Sequence, residues 1–213
     1  VIFLTADQVN GIIEKSPEGR NTNFLKAAHS LWFRFKNYDK APPVALEVDN
    51  EIVSIIFATY NRSGYTNLYE IVTVQGKEGK GYASKIWEEY ISYAVKEKRS
   101  DRLKISCTPS SVTWHMRNGL LFWAVDPTGS LRSDQKLFPT RKEQLEYQQY
   151  GVNNPTQVLP PEKVIEQFLS EGLENHNFGT KKKTKVEEAI NSVGKYWLRS
   201  ALYNNSSLES FLS

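Results

Sequence analysis

Three glycines, Gly76, Gly79 and Gly81, fall within six residues, between an apolar run at residues 67–74 and a stretch with apolar side chains at 83, 86, 87, 90, 91 and 94. The Ile, Val and Tyr content of the first run suits a buried strand, and the spacing of the second is helical. Strand, glycine loop and helix together form a device for holding a phosphate. Glycines let backbone N–H groups turn toward the anion without a Cβ in the way, and the positive end of the helix dipole adds its pull. Neither G-x-x-x-x-G-K-[ST] nor G-x-G-x-x-G is present, so the P-loop and dinucleotide fingerprints are excluded. Glu70 stands in the strand beside Ile71, Val72 and Val74. A carboxylate among such neighbours is costly unless it is paired or functional.

Other chemistry finds little support. His29, His115 and His176 are far apart and lack partners at ligand spacing, so no metal is expected. Ser110 and Ser111 have no G-x-S-x-G context, and Cys107, the one cysteine, follows a buried-strand pattern. Glu47 is a weaker carboxylate candidate, and Asp126 belongs to a turn.

The elements that must position the loop can be taken in order. Residues 1–5 form a short strand, and Thr5 with Gln8 forms a capping box for a helix carrying Val9, Ile12 and Ile13. A second helix from Asn21 or Thr22 carries Phe24, Ala28, Leu31 and Phe35 on one face. Three strands come next, with a hairpin turn at Asp49-Asn50. After the loop and its helix, residues 102–108 read as a parallel strand, because a long helix separates them from the strand before. A helix from Pro109 ends near Gly119, and two strands flank the turn at residues 126–129.

This order, and the run Glu78-Gly79-Lys80-Gly81-Tyr82-Ala83, resembles the acetyl-CoA-dependent GNAT N-acetyltransferase superfamily. Its pyrophosphate loop reads [Q/R]-x-x-G-x-[G/A]. Gly81 and Ala83 match, whereas Glu78 replaces the usual Gln or Arg, with Lys77 and Lys80 at hand to offset its charge. The resemblance implies an α/β fold over residues 1–139, a mixed, mostly antiparallel sheet flanked by helices. It implies acetyl-CoA or another acyl-CoA as co-substrate, held by the loop (Lys77, Gly79, Lys80, Gly81, Tyr82, Ala83). It also implies pantetheine along the strand at Val72 and Val74. Many members carry a Tyr four residues before a Gly, which protonates the departing thiolate; here His115 holds that position before Gly119, and an imidazolium can donate a proton. Glu70 matches the strand position from which members draw a general base. The implied reaction is transfer of an acyl group to an unidentified amine. Alternatives are an acceptor on nucleic acid, a DNA base or aminoacyl-tRNA, and a binding module without turnover.

Composition bounds the remainder. With 213 residues, 39% hydrophobic and 12% aromatic, the chain can bury a sizeable core. A net charge of +3 permits an anionic ligand without demanding a nucleic acid. No apolar run reaches membrane-spanning length, no secretory signal is visible, and the lone cysteine suggests a reducing, cytoplasmic setting. Residues 140–213 read as a helical extension, with a linker at about 151–161 and apolar stripes at Val164, Ile165, Phe168, Leu169 and at Val186, Ile190, Val193, Trp197. The extension is expected to shape the acceptor side or a homodimer interface.

Overall fold

The structure is a computed structural model and describes residues 1–107, 109–120, 124–125 and 131–150. Its elements are β1 (Ile2–Phe3), α1 (Ala6–Lys15), α2 (Arg20–Arg34), β2 (Val44–Val48), β3 (Glu51–Tyr60), β4 (Tyr65–Thr73), α3 (Tyr82–Lys96), β5 (Arg102–Cys107), α4 (Pro109–Arg117), β6 (Ala124–Val125), β7 (Leu131–Lys136) and α5 (Arg141–Tyr150). The described residues divide into two compact units, one of Val1–Ile105 with Asp134–Gln144, the other of those described within 106–133 and 145–150. The linker and the amphipathic stretches expected beyond residue 150 lie outside the described residues.

Strands of the first unit run in the order β1-β2-β3-β4-β5-β7. Pairing is antiparallel from β1 to β4 and parallel between β4 and β5, as a helical crossover requires. Asp49 and Asn50, at φ 53° and 61°, make the β2–β3 hairpin in the left-handed region that Asn and Asp tolerate. Thr5 caps α1 with the expected box, its hydroxyl accepting from Gln8 N–H and its own N–H donating to the Gln8 side chain. Val9 and Ile13 of α1 join Leu25, Ala28 and Trp32 of α2 in a core completed by Ala45, Ile55, Phe57 and Val72. Alternate residues point to the other face of the sheet. There α3, whose Ile86, Trp87, Tyr90, Ile91 and Ala94 are buried, packs on β2, β3 and β4.

Of the face expected for α2, Ala28 alone is buried. Phe24, Leu31 and Phe35 are exposed, and the inward stripe is Thr22, Leu25, Ala28 and Trp32. Trp32 fixes the rotation of the helix. Its ring meets Phe57 edge-on at 5.3 Å, and its Nε1–H donates to Ala41 O at 2.9 Å. That polar handle is satisfied only when the indole points inward.

In the second unit, α4 ends at Arg117 and the turn after it holds Gly119 at φ 87°, with the N–H groups of Gly119 and Leu120 donating to Met116 O and His115 O. β6 pairs antiparallel with the start of β7. The turn expected at residues 126–129 lies outside the described residues. Among the described residues no helix is long and apolar enough to cross a membrane.

The rotation of α2 is testable by urea unfolding. Trp32, 2% exposed, should cost about 3–5 kcal/mol when changed to Ala. Phe33→Ala, at a position 67% exposed, should stay within about 0.5 kcal/mol. Equal losses would place the helix in a different orientation.

Candidate active site

β4 is interrupted at one residue. Its register with β3 passes from Phe57↔Glu70 to Ala58↔Leu68, leaving Tyr69 as an extra residue in the ladder. Such a bulge sets two residues opposite one and re-aims their side chains. Tyr69, 60% exposed, meets Trp32 edge-on at 5.1 Å, and Glu70 is half-buried beside it. Burial pushes the Glu70 carboxyl upward, against a smaller opposing effect from a hydrogen bond accepted from Ile71 N–H. No Lys or Arg of the described residues forms an ion pair with it. A carboxylate so placed holds its proton more tightly than usual, which suits a base working near neutral pH.

Beyond the bulge the two edges of β4 differ. Described pairs with β5 run from Tyr65↔Arg102 to Leu68↔Ile105, while β4 itself continues to Thr73. Val74 N–H donates to Val53 O at 3.0 Å, and Val72 O accepts from the Ser54 hydroxyl at 3.1 Å. Of the two residues expected along pantetheine, Val72 O and Val74 N–H are thus bonded on the β3 side. By alternation, Ile71 and Thr73 face the opposite edge.

The glycine loop comes next. Lys77 N–H closes a turn onto Val74 O, and Gly76, Gly79 and Gly81 stand at φ 85°, 79° and 77°. A Cβ would meet nothing within 4 Å at any of the three, so it is the left-handed backbone that calls for glycine. Gly81 is the N-cap of α3, and no side chain caps that end. Its carbonyl accepts from Ser84 and Lys85, which leaves the first N–H groups of the helix, at Tyr82 and Ala83, for an outside acceptor. Lys77 is ion-paired with Glu51 on β3 and so is not the free cation expected beside the loop; Lys80 is exposed. Glu78 turns its carboxylate to Gly76 N–H (2.7 Å) and Asn21 Nδ2 (2.9 Å).

His115 belongs to the second unit and is 8% exposed, its ring edge-on to Trp114 at 4.9 Å. Burial pushes the imidazole down to about 4. At neutral pH it is uncharged, so the imidazolium donor expected there is not the form present. Burial also pushes the Cys107 thiol up to about 12, in keeping with a core residue. Among the described residues no group of three or more His, Cys, Asp or Glu could hold a metal ion.

No family model matches the chain, and no curated protein matches it in sequence. Solved structures do match. A spermidine N-acetyltransferase SpeG chimera from Vibrio cholerae and hSSAT is 9% identical, with a TM-score of 0.50 over 68% of this chain and 97% of that one. The fold is that of the GNAT N-acetyltransferases. Two further GNAT structures are the PaiA N-acetyltransferase of Thermoplasma acidophilum in complex with coenzyme A (10% identity, TM-score 0.49, 63% of this chain and 96% of that) and the ribosomal-protein-alanine N-acetyltransferase of Brucella melitensis (15% identity, TM-score 0.44, 64% and 98%).

Tyr69, Asn21, Ile71 and Thr73 carried no sequence signal, since a bulge and the edge a backbone group faces leave no mark in residue type. Because the Glu70 carboxyl is raised in the native state, its effect on stability is favourable below the ordinary carboxylate range and is lost as pH rises through the native value. Glu70→Gln should therefore be more stable than wild type at pH 7. The difference should shrink on acidification and vanish below about pH 4. Urea unfolding across this range checks it, and a pH-independent difference would contradict the buried carboxyl.

Proposed function

We propose that the protein is an acyl-CoA-dependent N-acyltransferase that moves an acetyl or related group to an amine by direct attack. The observation that carries this reading is the left-handed glycine loop leading straight from β4 into the uncapped N-terminus of α3. Backbone N–H groups and the helix dipole there suit a pyrophosphate. The edge of β4 presented by Ile71 and the Thr73 N–H, with the Thr73 carbonyl taken by Asn21, suits the amide-bearing pantetheine arm, and it leads from the loop back toward the bulge.

Glu70 is the base in this scheme. The amine nitrogen bonds to the thioester carbonyl carbon as its proton passes to Glu70. Collapse of the tetrahedral intermediate breaks the carbon–sulfur bond, and the CoA thiolate takes up a proton. A backbone N–H of β4 beyond the bulge can support the oxyanion. Neutral His115 has no proton acidic enough for the thiolate, so water supplies it.

Thermal unfolding with CoA tests the donor site. At about 100 times Kd, CoA should stabilise the protein by about 2.7 kcal/mol, whereas acetate should not. Gly81→Asp sets a carboxylate beside the phosphates and forces a side chain into a left-handed position, so it should abolish the shift. Mass spectrometry of an amine panel incubated with acetyl-CoA tests turnover. Glu70→Gln should lower kcat by about 100-fold or more and leave CoA affinity unchanged. A full-rate Glu70→Gln enzyme would remove that residue from the reaction.

A further inference from the structure

Glu78 stands where the GNAT loop carries Gln or Arg, and its neighbours hold its charge in one place. Oε2 accepts from Gly76 N–H at 2.7 Å, and Oε1 accepts from Asn21 Nδ2 at 2.9 Å. Asn21 lies in the first turn of α2, and its Nδ2 also donates to Thr73 O at 2.9 Å. Both partners are acceptors, so both amide hydrogens of Asn21 are used and its orientation is fixed. The backbone N–H of Asn21 donates to Gln75 Oε1 at 3.1 Å. That side chain lies so close over Gly19 that a Cβ there would stand 2.2 Å from Oε1. The start of α2 is thus clamped to the end of β4 and to the glycine loop.

We propose that Asn21 is a positioning residue for the CoA pyrophosphate, acting through Glu78. By fixing the carboxylate against Gly76, it keeps a negative charge away from the N–H groups at residues 81–83 that the phosphates require. A carboxylate is itself a good ligand for a helix N-terminus. Released from Asn21, Glu78 is drawn to the start of α3, where it both competes with the pyrophosphate and repels it. The clamp explains how a loop with an acid in this position can keep its anion site open. This role rests on the CoA reading above.

Isothermal titration of the full chain with CoA tests it through rescue. Asn21→Ala should weaken CoA binding about fivefold or more, the size expected of a like charge at short range in a solvated site. Glu78→Gln alone should bind at least as tightly as wild type. The double variant Asn21→Ala/Glu78→Gln should return to within about twofold of Glu78→Gln, because no charge remains to be misplaced. Asn21→Asp, which sets two carboxylates together, should be weaker than Asn21→Ala and be rescued in the same way. Wild-type affinity in Asn21→Ala, or a double variant as weak as the single, would overturn the proposal and leave Asn21 a packing role. A wild-type protein that binds no CoA would instead overturn the reading of the loop, a failure seen before any variant is made.

Discussion

Past Leu68, β4 keeps its pairing with β3, while its described pairs with β5 come to an end. The residue that separates these two regimes is Tyr69, which the β3 ladder skips between Leu68 and Glu70. An extra residue bends a strand and increases its twist, which is how an edge can open in the middle of a sheet. Several features of the site go with that extra residue. Glu70 comes to lie opposite Phe57 and next to the Trp32–Tyr69 pair, and Val72 enters the core shared with α1 and α2. Ile71 and Thr73 then face the edge away from β3.

The proposed anion site beyond this strand is built mainly from neutral backbone. Lys77 is held by Glu51, and the acid at Glu78 is held by Gly76 and Asn21, so the side-chain charges nearest the loop are largely committed. What remains for a phosphate is a set of N–H groups, fixed in direction by three left-handed glycines and reinforced by the dipole of the 15-residue helix α3. Preorganised donors of this kind need no reorganisation when the anion arrives. The glycine loop and the bulge also share a support, because α2 supplies Asn21 at its start and Trp32 near its end.

Features fixed by local chemistry were legible in the sequence. The Thr5–Gln8 capping box, the Asp49-Asn50 hairpin and the glycine loop each rest on residues a few positions apart, and each stands in the structure. Features that depend on the sheet were not. Large rings at Phe24 and Phe35 drew the expected face of α2, whereas the face that packs shares only Ala28 with it and includes Thr22, which has little hydrophobic signal of its own. Residue content marked the strand of Val72 and Val74 as buried, but the edge their backbone groups face is set by pairing with β3. His115 has the right place relative to Gly119, yet its burial, and so its neutral state, comes from tertiary packing.

The most direct measurement is a titration of the isotopically labelled protein with CoA, monitored through the backbone amide resonances. If the open edge of β4 and the start of α3 form the donor site, the largest shifts should fall on the amides of Gly79, Gly81, Tyr82 and Ala83, with a second set at Ile71 and Thr73. Val72 and Val74, bonded toward β3, should move least within that stretch. Binding with no response at residues 79–83, or with shifts centred on another part of the chain, would contradict the account.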